Sequence, residues 1–99
     1  MSENAPLVIV TRKLPDSVEA QLDRLFDVRL NQDDHVFSIE ELKLAVKEAD
    51  VLVSTVSDQL NADILSIAGN NLKLIANYGV GVDHIDLDAA GNKLITVTN

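Results

Sequence analysis

The chain contains no cysteine and no tryptophan, and its aromatic residues are two phenylalanines and one tyrosine. The lack of cysteine excludes disulfides, thiol chemistry and cysteine-ligated zinc. With so few aromatic rings, a core has to be built from Val, Ile, Leu and Ala. The hydrophobic share of 46% over 99 residues is enough for one small globular domain.

Positive charge is also scarce, with 8 Lys and Arg against 16 Asp and Glu and a formal net charge of −8. Phosphate groups are bound by clusters of Lys and Arg, whereas the basic residues of this chain are dispersed along the sequence. We therefore expect neither a nucleic-acid nor a membrane partner. No apolar run approaches the roughly 18 residues that span a bilayer. The first six residues lack the basic-then-apolar pattern of a signal peptide. These absences favour a cytoplasmic protein.

Short apolar runs alternate with amphipathic stretches along the whole chain, and no internal repeat or linker interrupts them. This alternation predicts five strands and four helices in one domain covering residues 1–99. The predicted strands are Leu7–Thr11, Phe26–Leu30, Val51–Val56, Leu72–Ala76 and Ile95–Thr98. We expect the second strand at a sheet edge, because its apolar and polar residues alternate.

Capping residues mark where the helices begin. Ser38 and Glu41 have the spacing of a capping box, while Asn61 and Asp86 are suitable N-caps for the third and fourth helices. Pro15 is placed in the first turn of the first helix. The fourth helix is predicted over Leu87–Ala90. The apolar faces predicted to pack on the sheet are Val18, Leu22 and Leu25 in the first helix and Ile39, Leu42, Val46 and Ala49 in the second.

Alternating strands and helices with right-handed crossovers favour a doubly wound parallel sheet, with strand order 2-1-3-4-5. A fold of this order normally carries a further helix after its last strand, and here the chain stops at Asn99. We therefore expect part of one sheet face to lack its covering helix. Exposed apolar strips promote association, so a homodimer or a domain-swapped species is expected.

Two glycines follow the fourth strand, at the edge where ligands bind in open α/β sheets. The two interpretations of Gly79 and Gly81 stay open at this point. Either they serve only a tight turn, or the backbone N–H groups around Val80 and Gly81 form a nest for a carboxylate.

The sequence lacks the residues that several other functions require. The chain has no G-x-x-x-x-G-K-S/T phosphate loop, and Gly79-x-Gly81 lacks the third glycine of a dinucleotide fingerprint. A phospho-acceptor receiver domain would carry carboxylates after the first and third strands, where Thr11-Arg12 and Ser54-Thr55-Val56 stand instead. This class is excluded.

Acid–base or metal chemistry has little support. Asp83 and His84 are titratable neighbours, but adjacent side chains point in different directions. A structural or solvent-facing role for His84 is therefore favoured over catalysis. The carboxylates are interpreted as a solvated surface, and no metal site is predicted.

One long run is distinctive. Residues 76–90 read ANYGVGVDHIDLDAA, and the chain closes with Val97-Thr98-Asn99. This run resembles the D-isomer-specific 2-hydroxyacid dehydrogenase family, particularly its glyoxylate/hydroxypyruvate reductase branch. Thr11-Arg12-x-Leu14-Pro15 and the segment 49–58 fit the same family. The chain departs from the family pattern at residues 91–94, where the family usually continues the helix and places a glycine before the last strand.

The resemblance implies a flavodoxin-like substrate-binding lobe. In that family the glycine loop holds the substrate carboxylate, which corresponds here to Gly79, Val80 and Gly81, and the loop after the third strand lines the pocket at Thr55 and Val56. The family's catalytic Arg, Glu and His and its NAD(P)-binding G-x-G-x-x-G loop would come after Asn99. We therefore expect no dinucleotide-binding domain, bound cofactor, catalytic residue or dehydrogenase activity in residues 1–99. A free-standing flavodoxin-like binding or interaction module is the alternative.

Overall fold

The computed structural model describes residues 5–79, 81 and 83–98. Its elements alternate as expected, as β1 Leu7–Val10, α1 Asp16–Leu25, β2 Asp27–Arg29, α2 Ile39–Glu48, β3 Val51–Ser54, α3 Ala62–Ser66, β4 Leu74–Asn77, α4 Leu87–Asn92 and β5 Thr96–Thr98. The strands form one parallel sheet in the order β2-β1-β3-β4-β5. The predicted fold class and strand order are confirmed.

The strands are shorter than their apolar runs. The third ends at Ser54 and not at Val56, because a turn follows at once, in which the Asp58 N–H donates to the Thr55 carbonyl over 3.0 Å. The fourth begins at Leu74 and not at Leu72, although Leu72 is buried. Apolar sequence therefore continues past the point where strand pairing stops.

The main core lies between the sheet and the three helices α2, α3 and α4. Ile9, Leu52 and Ile75 face it from adjacent strands, and Leu52 and Ile75 are completely buried. Aliphatic side chains fill this core, as the composition requires.

The opposite face of the sheet packs on α1 through Val8, Val10 and Val53. In the part of the chain that the structure describes, α1 is the only helix in this cluster. Leu74 and Ala76 are only half-buried here, and the neighbouring Thr96 and Thr98 are exposed.

The predicted burial of the apolar faces of α1 and α2 is correct in the middle of each face and wrong at one end of each helix. Leu42, Val46 and Ala49 are buried, whereas Leu25 is 64% exposed and Ile39 is 63% exposed. Leu25 is the last residue of α1 and Ile39 the first of α2. In each case a nearby phenylalanine, outside the helix, packs against the core instead.

All three predicted side-chain caps are present. Ser38 Oγ accepts from the Glu41 N–H over 3.1 Å, while the Ser38 N–H donates to Glu41 Oε1 over 2.8 Å. Asn61 and Asp86 likewise accept from backbone N–H groups of their helices. Pro15 is the N-cap of α1 and not a first-turn residue.

The last helix runs two residues beyond its predicted end, through Gly91 and Asn92. Its C-terminus is closed by Leu94, which has a φ of 60° and is 80% exposed. The Ile95 N–H then donates to the Ala90 carbonyl over 2.9 Å. This left-handed position is one that glycine ordinarily occupies.

We expect Leu94→Gly to raise the free energy of unfolding by about 0.5–1 kcal/mol, because glycine removes the Cβ clash of the left-handed conformation. Urea denaturation measures the change. Leu44→Gly is the matched control, since Leu44 is 59% exposed but lies inside α2. That control should lose about 1 kcal/mol. A loss of stability in both variants would contradict the explanation.

Candidate functional site

The turn after β3 and the glycine loop after β4 meet at the carboxyl edge of the sheet. A Cβ atom placed on Gly79 would lie 4.0 Å from Val56 Cγ1, so these two residues are neighbours. A cavity of about 340 Å³ opens beside them and is lined by Val56, Gln59, Gly81, Asp83 and His84. The structure thus brings Val56, Gly79 and Gly81 together. Val80, the other residue of the predicted nest, lies outside the described residues.

Thr55 has a different position from the one expected. Its hydroxyl is hydrogen-bonded to Ser57 Oγ over 2.8 Å, and its backbone N–H donates to Asp58 Oδ2 over 2.9 Å. It is not among the residues that line the cavity. Thr55 therefore shapes the turn that carries Val56.

Asn77, the last residue of β4, ties the glycine loop to the sheet. Its side chain is 5% exposed, and Asn77 Nδ2 donates to the Gly81 carbonyl over 2.8 Å. Asn77 Oδ1 lies 2.7 Å from His84 Nε2 and accepts from Ser54 Oγ over 3.2 Å. Gly79 has a φ of 149°, which side-chain-bearing residues rarely adopt.

The contact with Asn77 fixes the role of His84. Because an amide oxygen can only accept, His84 Nε2 must carry the proton and donate. The half-buried imidazole therefore braces the loop, in keeping with the structural role that the sequence favoured.

A buried carboxylate joins the ends of β1 and β3, where no acid was expected. Asp58 is completely buried, and its Oδ2 accepts from Thr11 Oγ1 and from the Thr55 N–H. Thr11 is also completely buried. Asp58 lies in the turn that follows β3, and its side chain reaches back to the strand ends. The residues at the strand ends therefore did not predict a carboxylate there. A polar pair, Ser57-Asp58, directly after a buried strand was the only signal.

Arg12, which contacts the turn after β3 at Ser57, is already paired with a carboxylate. Arg12 Nε and Nη2 donate to the two carboxylate oxygens of Asp34, over 2.8 Å and 3.3 Å. This hydrogen-bonded pair raises the pKa of Arg12 and lowers the pKa of Asp34. Arg12 Nη1 also donates to Ser57 Oγ over 3.0 Å. No Lys or Arg is among the described residues that line the cavity, so an anion there would be bound by neutral donors such as backbone N–H groups.

A larger cavity, of about 470 Å³, lies between α2 and the segment that follows β2. Its rim holds His35, whose ring nitrogens lie 2.7 Å from Asp33 Oδ1 and 2.8 Å from Glu41 Oε2. These carboxylates, Asp33 foremost, raise the pKa of His35. None of the predicted site residues lines this cavity, and its size alone does not make it the functional site.

The described residues lack two features that are typical of metal sites and dinucleotide sites. Within residues 5–79, 81 and 83–98, no three His, Asp or Glu side chains are grouped as metal ligands would be, and no helix is long and apolar enough to cross a membrane. The glycine loop does not run directly into α4, because residues 82–86, which include Ile85 in its bridge to Leu60, come between them in the sequence. In the pyrophosphate cradle of a dinucleotide site, the glycine-rich turn leads straight into the helix N-terminus.

The doubly wound sheet, with a cavity at the carboxyl ends of its inner strands, has the architecture of the α/β domains that bind ligands at that edge. The family model described as D-isomer specific 2-hydroxyacid dehydrogenase, catalytic domain, matches residues 8–99. The chain therefore belongs to the D-isomer specific 2-hydroxyacid dehydrogenase family.

Individual relatives agree with this assignment. The chain is 36% identical to the glyoxylate reductase of Thermococcus onnurineus over 94 residues, which cover 95% of this chain and 28% of that protein. It is 32% identical to the glycerate dehydrogenase of Hyphomicrobium methylovorum, covering 93% of this chain and 29% of that one. Among solved structures, the TT0316 protein of Thermus thermophilus superposes with a TM-score of 0.78 at 39% identity, over 92% of this chain and 29% of that one. The chain thus spans less than a third of these relatives.

Proposed function

We propose that the chain is the substrate-binding lobe of an NAD(P)-dependent D-2-hydroxyacid dehydrogenase of the glyoxylate/hydroxypyruvate reductase type. Its ligand is the carboxylate of a small 2-oxo or 2-hydroxy acid, held by the loop Gly79, Val80 and Gly81 with Val56 beside it. Thr55 contributes by shaping the turn that presents Val56.

The cavity between Val56 and Gly81 is the observation that carries this proposal. It lies at the edge of the sheet where ligands bind in this class of fold, and glycine allows a ligand to approach the backbone closely. Similarity to the Thermococcus onnurineus glyoxylate reductase supports a two-carbon oxo acid as the substrate class.

In this proposal the chain binds and orients, and other parts of a longer protein perform the transfer. NAD(P), when bound there, supplies or accepts the hydride. Val56 limits the cavity on its apolar side, and backbone N–H groups of the loop donate hydrogen bonds to the carboxylate. Residues 1–99 by themselves hold neither the cofactor nor the acid–base groups.

An amide ¹H–¹⁵N NMR titration of the 99-residue chain with glyoxylate tests the binding. We expect shifts concentrated at Gly79, Gly81 and Val56, and none with glycolaldehyde, which lacks the carboxylate. A dispersed spectrum that ignores glyoxylate would contradict the proposal and favour the free-standing module. The same sample should not oxidise NADH with glyoxylate, and oxidation would overturn the assignment as a lobe without catalytic groups.

We also propose that the chain associates into a homodimer or a domain-swapped species through the sheet face opposite α2–α4. Half-buried Leu74 and Ala76 on that face support this. Light scattering at increasing concentration should show a rising mass. A monomer that persists at high concentration would contradict association.

A cytoplasmic location completes the proposal and is supported by the lack, among the described residues, of a helix long and apolar enough to cross a membrane. A fluorescent fusion should be distributed diffusely through the cell. Accumulation at the membrane or the nucleoid would contradict both the location and the absence of membrane and nucleic-acid partners.

A further inference from the structure

The glycine loop is held at two points by one side chain. Asn77 Nδ2 donates to the Gly81 carbonyl over 2.8 Å, and Asn77 Oδ1 accepts from His84 Nε2 over 2.7 Å. Asn77 is only 5% exposed, so water has little access to its amide group. A buried amide whose two ends both bind one loop fixes the conformation of that loop.

The direction of the Gly81 carbonyl matters for an anion. Gly81 lines the cavity, and its carbonyl oxygen is the negative end of the peptide dipole. A carbonyl that faced the cavity would repel a carboxylate. Because the carbonyl is turned inward to Asn77, the negative end is kept out of the cavity.

We propose that Asn77 is the positioning residue of the glycine loop. By holding the Gly81 carbonyl inward and bracing His84, it maintains the conformation that accepts a carboxylate. The inference rests on the proposed function for the identity of the ligand, and the hydrogen-bonded arrangement itself is measured without any ligand.

Asn77→Asp is the informative substitution. The side chain keeps its size and its acceptor for His84, but it loses the Nδ2 donor that binds the Gly81 carbonyl and adds a buried negative charge near the cavity. We expect glyoxylate affinity to fall by at least about tenfold, the order of one lost hydrogen bond. In the ligand-free chain, ¹⁵N relaxation should show Gly79 and Gly81 more mobile than in the wild type.

Ser54→Ala is the matched control. Ser54 is completely buried and donates to the same Asn77 Oδ1, but it lies on β3 and leaves both bonds to the loop intact. Its affinity for glyoxylate should stay within about twofold of wild type. Equal losses in the two variants would mean that Asn77 acts by holding β3 and β4 together, and would overturn the proposal.

A second variant tests the bracing role without depending on the folding of Asn77→Asp. His84→Ala removes one brace at a half-buried position, and intermediate mobility at Gly81 is expected. The ¹⁵N shifts of the His84 imidazole should report a protonated Nε2 in the wild type. Absence of that tautomer, or unchanged loop mobility in His84→Ala, would refute the bracing role.

The two proposals fail in different ways. If the wild-type chain does not bind glyoxylate but Asn77→Asp still mobilises the loop, the positioning role stands and the proposed ligand is wrong. If the wild type binds and Asn77→Asp binds equally well with an equally ordered loop, the ligand stands and the positioning role is wrong.

Discussion

Replacing Ile75 by alanine is expected to lower the free energy of unfolding by about 3–5 kcal/mol. Ile75 lies in β4, between Leu52 on β3 and Val97 on β5, and it is completely buried. The substitution loses the transfer free energy of the side chain and leaves a cavity that neighbouring strands cannot collapse to fill. For a small domain, this is a large part of the total stability.

Urea denaturation measures the change, provided that the slope of unfolding free energy against urea concentration is the same in both proteins. Leu25→Ala is the matched control, because it removes a similar volume from a residue that is 64% exposed. That control should change stability by less than about 0.5 kcal/mol. Comparable losses at both positions would mean that the end of α1 is packed in solution, as its sequence pattern suggested.

The contrast between Ile75 and Leu25 shows what local pattern can and cannot predict. Element order and the three side-chain caps follow from residues close together in the sequence, the strand order follows from the connection rules of parallel sheets, and all were predicted correctly. Periodicity assigns a helical residue to a face but does not indicate how far the sheet extends beneath it. Leu25 and Ile39 fall at helix ends, where a nearby phenylalanine fills the position instead.

The candidate site likewise has a part that local sequence predicts and a part that it does not. The glycine loop is visible as a motif, and the resemblance to a family predicted a substrate role for Gly79, Val80, Gly81, Thr55 and Val56, which stays a prediction. The side-chain contacts that join neighbouring strands near the site were not predicted. Ser54 and Asn77 contact each other across 23 positions, and Thr11 and Asp58 across 47. Nothing in a local pattern relates such pairs, because only the strand order brings them together.

The Thr11–Asp58 pair leads to the second large prediction, in which Asp58→Ala lowers the free energy of unfolding by about 2–4 kcal/mol. The substitution leaves the buried Thr11 hydroxyl and the Thr55 N–H without their acceptor, and each stranded donor costs about 1–3 kcal/mol. The alanine variant also avoids the desolvation penalty of a buried carboxylate, which offsets part of that cost. Asp16→Ala is the control, because Asp16 is 98% exposed and its ion pair with Lys13 should contribute nothing measurable.

A double-mutant cycle with Thr11→Val separates the hydrogen bond from the lost packing. Valine keeps the shape of threonine and removes the donor, so Asp58→Ala should cost about 1–2 kcal/mol less in the Thr11→Val background. Additive losses would mean that the two side chains do not interact and that Asp58 serves only the turn at Thr55. A positive coupling would mean that this carboxylate fastens β1 to the turn carrying Val56, and that one wall of the cavity depends on a contact between distant parts of the sequence.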